Sequence, residues 1–88
     1  MPGGSAGTVL VADDEAILLR LVETVLRRAG FRVVTATTSA ETLEAFREDP
    51  AAIDAVLIDA GIPPSGAAEV LRSMLALRSD VGVIVSSG

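Results

Sequence analysis

Thr8-Val-Leu-Val-Ala-Asp-Asp-Glu15 joins a short apolar run to three consecutive acids. An apolar run of this length, bounded by polar residues, reads as a buried strand. The period then changes. Ile17, Leu18, Leu21, Val22, Val25, Leu26 and Ala29 recur at i, i+1, i+4 and i+5, the stripe of one buried helix face. Arg27 and Arg28 stand in the last turn, where they favour the helix dipole. Gly30 is placed to end the helix in a left-handed cap.

The same alternation continues outward from this unit. Arg32-Val-Val-Thr-Ala36 is rich in β-branched residues and reads as a second strand. Ser39 is the expected N-cap of a second helix, with Leu43 and Phe46 on its inner face. Asp49-Pro50 stops that helix. Ala55-Val-Leu-Ile58 is a third apolar strand, ending at Asp59. Gly61, Pro63, Pro64 and Gly66 mark a rigid loop. Val70, Leu71, Met74 and Leu75 form another helical stripe, and Val81-Gly-Val-Ile-Val85 is a fourth strand before Ser86, Ser87 and Gly88. Met1 to Gly7 is Gly-rich and reads as a flexible leader or linker, which leaves residues 8–88 as one domain. Strand-helix alternation with short connections implies a parallel sheet with right-handed crossovers and helices on its faces, an α/β fold.

Composition bounds the chemistry. The chain has 88 residues and half of them are hydrophobic, but Phe31 and Phe46 are its only aromatics. The core must be aliphatic, which suits a buried parallel sheet. A chain of this size buries only about 60–65% of the surface its unfolded form exposes, so its stability margin is thin. The net charge is −5, and all seven basic residues are arginines without a clustered run. Nucleic-acid binding by this chain alone is therefore not expected. Without cysteine there are no disulfides or thiolate metal sites. Without histidine there is no Ser-His-Asp triad, no His-based metal site and no phosphohistidine donor. No segment reaches the roughly 20 apolar residues needed to span a membrane. The N-terminus lacks the basic and apolar regions of a signal peptide, so a cytoplasmic location is the expectation.

Three carboxylates stand at strand ends: Asp13 and Asp14 after the first, Asp59 after the third. In a flavodoxin-like sheet the first and third strands are neighbours. The chain leaves them in opposite directions, which opens a crevice at their C-terminal ends. All three acids would line it. Clustered carboxylates repel unless something positive offsets them. Mg²⁺ does so naturally, because it is a hard ion that takes one or two carboxylates together with waters and phosphate. A carboxylate also accepts a phosphoryl group as an aspartyl phosphate. Ser87, at the end of the fourth strand, is placed to hydrogen-bond such a group. Each piece alone is ordinary: acids before a helix serve capping and dipole chemistry, and an Asp closing a strand serves a turn. The glycines Gly3, Gly4 and Gly7 precede the first strand, so they do not form a phosphate loop. Joint placement at three strand ends carries the signal.

At this point the sequence resembles the receiver domain of two-component response regulators. Val9-Leu-Val-Ala-Asp-Asp-Glu15 resembles the opening strand and acidic pair of that family. The segment from Gly30 to Leu43 is similar to its second strand and helix. Asp54-Ala-Val-Leu-Ile-Asp59, with Ile62-Pro63 and Glu69-Val70-Leu71, is similar to its phosphoacceptor strand, loop and third helix. Val83-Ile-Val-Ser-Ser-Gly88 resembles its fourth strand and hydroxyl switch.

The resemblance implies a flavodoxin-like doubly wound parallel sheet of order 2-1-3-4, with the fifth strand and last helices of the family missing. It implies Asp59 as phosphoacceptor, and Asp14, Asp59 and the carbonyl of Gly61 as Mg²⁺ ligands. Asp13 would act on the metal through water, and Ser87 would be the switch hydroxyl, ahead of Ser86. The implied partner is a histidine kinase or phosphotransfer protein. The chain would be a phosphoacceptor and not an enzyme, promoting only its own phosphotransfer and dephosphorylation.

The sequence departs from the family at one chemical point. Receivers carry a lysine at the end of their fifth strand that pairs with the phosphoryl group; that strand is not part of these 88 residues, and they contain no lysine. That departure keeps a phosphorylation-independent interaction scaffold as the alternative. A phosphohydrolase with an Asp nucleophile is a third reading, but Gly61 stands where its general acid would be. The uncharged fourth strand, left as an edge, is expected to invite self-association.

Overall fold

A computed structural model describes residues 6–86. The chain alternates β1 (Thr8–Ala12), α1 (Ala16–Arg28), β2 (Arg32–Ala36), α2 (Ser39–Glu48), a 3₁₀ turn (Pro50–Ala52), β3 (Ala55–Asp59), α3 (Ala67–Leu77) and β4 (Gly82–Ser86). All neighbouring strands pair in parallel, in the order β2-β1-β3-β4. This is the flavodoxin-like order expected from the sequence.

Strand alternation sorts the core onto two faces. Leu10 and Ala12 of β1 join Val56 and Ile58 of β3, and pack with Phe46, Val70 and Met74 from α2 and α3. Val9 and Val11 point the other way, onto Leu19, with Val22 and Leu26 of α1 beside it. Helices therefore cover both faces, two on one side and one on the other.

That asymmetry corrects the expected stripe of α1. Leu19, which lies outside the predicted set, is the buried residue of this helix. Val22 and Leu26 are partly buried against the sheet. Ile17, Leu21 and Val25 turn away from it, 88%, 58% and 58% exposed. Successive residues are about 100° apart on a helix, so a stripe built on i, i+1, i+4 and i+5 is wider than one sheet contact. Its flank is left uncovered among the described residues. In α3 the same thing happens on a smaller scale: Val70 and Met74 are fully buried, and Leu75 is exposed.

The ends of the helices follow local chemistry. Gly30 has φ +98, its N–H donates to the Arg27 carbonyl, and the Phe31 N–H donates to the Leu26 carbonyl. This is the paired hydrogen-bond pattern of a glycine C-terminal cap, as predicted. The N-cap of α2 is Thr38, not Ser39. Thr38 is extended and its Oγ1 accepts from the Glu41 N–H at 3.1 Å. The Glu41 carboxylate reaches back to the Thr37 N–H and Oγ1, both at 2.8 Å. Thr38-x-x-Glu41 is the capping-box pattern, displaced by one residue at its return bond. Those two bonds hold the Glu41 carboxyl below its ordinary range, the backbone donor contributing most.

Two other boundaries shift. β4 runs one residue later than expected, and Val81 is buried ahead of it. Ala6 and Gly7 belong to the margin of the sheet: the Ala6 N–H donates to Gly30, and the Arg32 N–H donates to Gly7. A Cβ at Gly7 would sit 2.7 Å from Asp54 Oδ2, and that oxygen accepts from the Thr8 N–H at 2.7 Å. Glycine there lets the chain enter β1 against a carboxylate. The leader predicted over Met1 to Gly7 is thus corrected at its last two residues, and its first five lie outside the described residues.

Candidate functional site

The strand order places the switch point between β1 and β3, where the chain departs to opposite sides of the sheet. Asp13 directly follows β1, and its N–H still continues the ladder to Ala36 at 3.0 Å. Asp59 is the last residue of β3, in register with Ser86 of β4. Both aspartates are thus aimed by sheet backbone, not by loop. Asp14 is one residue further out and exposed.

One carboxylate oxygen from each of Asp13, Asp14 and Asp59 lies within 4.8 Å of the others. Asp13 is buried, and its Oδ1 accepts from the Glu15 N–H at 2.8 Å, which fixes its rotamer at the mouth of α1. The ion pairs among the described residues join Arg27 to Glu23, Arg72 to Glu69, and Arg78 to Asp80. None reaches the three aspartates, so among the described residues no arginine pairs with them.

Beneath the acids lies a small cavity of about 80 Å³. Asp13, Asp59 and Ser86 form its polar side, and Val11, Leu19, Val22 and Leu57 its apolar side. Ser86, ranked second to Ser87 in the sequence, lines this cavity because its register partner is Asp59. Ser87 lies outside the described residues.

The loop after Asp59 is tightly framed. The Ala60 N–H donates to Ser86 at 2.8 Å and the Ala60 carbonyl accepts from Ala67 at 3.0 Å. The Ile62 N–H donates to the Asp59 carbonyl at 3.1 Å, and Ile62 is fully buried. Gly66, at φ +80, lies with its Cβ position 3.6 Å from the Ala60 carbonyl, so the turn into α3 favours glycine there. Gly61 sits between these anchors, and a Cβ on it would stand 3.9 Å from Asp59 Oδ2. That is ordinary van der Waals contact, so a methyl group would fit beside the carboxylate.

The donor set suits a hard cation. Opposite ligands of an octahedral Mg²⁺ are about 4.2 Å apart and adjacent ones about 3 Å, so oxygens spread over the observed distance need only small side-chain adjustments.

These features define a known class of signalling module. The chain belongs to the response regulator receiver domain family, whose model matches residues 9–88. It is a domain of two-component signal transduction. Among curated relatives it is similar to the transcriptional regulatory protein PrrA of Mycobacterium tuberculosis, 35% identical over 85 residues. That match covers 97% of this chain and 36% of the relative, so the chain spans about a third of the longer protein. Among solved structures it is similar to a response regulator receiver domain protein from Clostridium thermocellum, with 32% identity and a TM-score of 0.87. There the match covers 90% of this chain and 63% of the other. The response regulator TrrA of Thermotoga maritima, solved in complex with Mg²⁺ and BeF, is 26% identical with a TM-score of 0.83 over 90% of this chain and 67% of that one.

Proposed function

We propose that this receiver takes a phosphoryl group onto Asp59 from the phosphohistidine of a partner kinase or phosphotransfer protein, with Mg²⁺ bound at the acidic cluster. The observation that carries this reading is the convergence of three aspartates without an ion-pair partner at the switch point. In the transfer, an Asp59 carboxylate oxygen forms a bond to phosphorus. The P–N bond to the imidazole breaks, and its electron pair returns to the ring nitrogen. Asp59 is held for this by its place at the end of β3, and Asp13 by its bond to Glu15. Asp14, Asp59 and the Gly61 carbonyl would hold the metal, with Asp13 acting on it through water. The bound ion would neutralise charge on the phosphoryl oxygens. Ser87 would accept the switch role by resemblance, with Ser86 lining the cavity beside Asp59.

The reading extends to partners and place. A cytoplasmic location fits it, and among the described residues no helix is long and apolar enough to cross a membrane. β4 is terminal in the sheet, with Ile84 and Val85 exposed, which supports self-association along that edge.

A phosphorylation-independent interaction scaffold is the second reading. One experiment separates the two. The protein is incubated with Mg²⁺ and a small acyl-phosphate donor, and its intact mass is followed. A gain of one phosphoryl group that disappears in Asp59→Asn supports phosphotransfer. No gain, together with unchanged partner binding by Asp59→Asn, supports the scaffold.

A further inference from the structure

The hydroxyl of Ser39 has been released from capping duty. Thr38 performs that function for α2, so Ser39 is the first helical residue, and it is only 3% exposed. Its polar atoms point at the acceptor loop. The Ser39 N–H donates to the Pro63 carbonyl at 2.8 Å. Its Oγ donates to Ser65 Oγ at 3.3 Å and accepts from the Ser65 N–H at 3.4 Å. One buried residue thus satisfies a first-turn donor of its own helix and contacts three polar groups of a loop 24–26 positions further along the chain.

The loop needs such a support. Its start is fixed to β4 through Ala60, its middle to the core through Ile62, and its end to α3 through Ala67. The stretch Pro63–Ser65 is exposed; the Gly66 N–H closes it locally by donating to the Ile62 carbonyl at 2.7 Å, and the contacts with Ser39 tie it to α2. Gly61 lies two residues before that stretch. Its carbonyl direction depends on the path the loop takes on both sides.

We propose that Ser39 is a positioning residue: it sets the path of the loop that carries Gly61 beside Asp59, and so couples the acidic site to the N-terminus of α2. The effect on metal binding rests on the reading given under Proposed function. The effect on the loop does not. Ser39 touches neither the metal ligands nor the phosphoryl group, and acts through the loop alone.

The test uses Ser39→Ala, Ser65→Ala and the double variant. Amide hydrogen exchange is read at Ile62 and Gly66, neither of which bonds to Ser39, and is normalised to Val56 in the β3 core. Mg²⁺ titrations are followed at the Asp59 amide. The two hydroxyl contacts are long, and losing hydrogen bonds at the weak end of the range corresponds to about a two-fold change. Ser39→Ala keeps the Ser39 N–H bond to Pro63, and should speed exchange at Ile62 and Gly66 about two-fold relative to Val56 and weaken Mg²⁺ binding about two-fold. Ser65→Ala should give a smaller effect, and the double variant should match Ser39→Ala. Normalised exchange unchanged in Ser39→Ala overturns the proposal. So does faster exchange with unaltered Mg²⁺ affinity, which would make Ser39 a local tether without influence on the site. A wild-type protein indifferent to Mg²⁺, with exchange still accelerated in Ser39→Ala, would remove the metal reading and keep the loop role.

Discussion

Replacing Asp59 with Asn should stabilise this protein when divalent cations are absent. Two unit charges 4.8 Å apart, the outer separation of the three carboxylate oxygens, repel by ~0.9 kcal/mol in water and by ~3.5 kcal/mol at an effective dielectric constant of ~20. Asp14 is exposed and Asp59 half-buried, so solvent screens the cluster and the lower figure governs. Asp59 takes part in two of the three pairs. Asp59→Asn keeps the shape of the side chain and removes both repulsions, for a gain of about 1–2 kcal/mol after the side chains relax. In a domain of this size that raises the melting temperature by about 5–10 °C. The assay is thermal unfolding by circular dichroism in chelator, then in excess Mg²⁺. Metal binding should invert the order, since ligand at about 100 times its dissociation constant adds ~2.7 kcal/mol to the wild type. High salt should shrink the chelator difference. If Asp59→Asn melts at or below the wild type in chelator, or if the gap ignores Mg²⁺, the three acids do not form the repulsive cluster argued here.

Three further outcomes are expected. Arg78 donates to the carbonyls of Pro50 and Ile53 and pairs with Asp80, so Arg78→Ala should cost about 2–3 kcal/mol in urea unfolding while leaving Mg²⁺-induced shifts at Asp59 intact. The folded Glu41 carboxyl titrates below its ordinary value of 4.5, so its contribution is complete above that pH and is lost as pH falls through the lowered folded value. Glu41→Gln should remove this acid-side loss, read from the Thr37 amide shift; an unchanged titration would break the link between that bond and α2. Sedimentation of the wild type should show concentration-dependent association through β4, and Ile84→Lys should suppress it by charging the edge; a monodisperse wild-type monomer overturns the edge argument.

Much of the architecture was legible because periodicity and strand-end acids are local signals. The apolar runs at Val9–Ala12 and Ala55–Ile58 set the strands, and their matching acids at Asp13 and Asp59 mark the switch point. Gly30 was readable as a cap for the same reason, since one residue without a Cβ decides the backbone there. The Thr38 cap was readable too, through Glu41 three residues later. Ser39 stood next to it and ranks higher as an N-cap residue, which is why propensity alone chose the wrong residue.

What the chain by itself determined, then, is the order of its elements, the sheet they build and the type of residue at the head of β1 and β3. The tertiary structure alone decided which half of the α1 stripe is covered, since burial depends on what packs opposite a face and not on the face's own pattern. It decided that Ser86 shares a cavity with Asp59, because parallel register is a relation between two strands distant in sequence. It also decided that Ser39 meets Ser65, a contact across 26 positions that no local signal encodes.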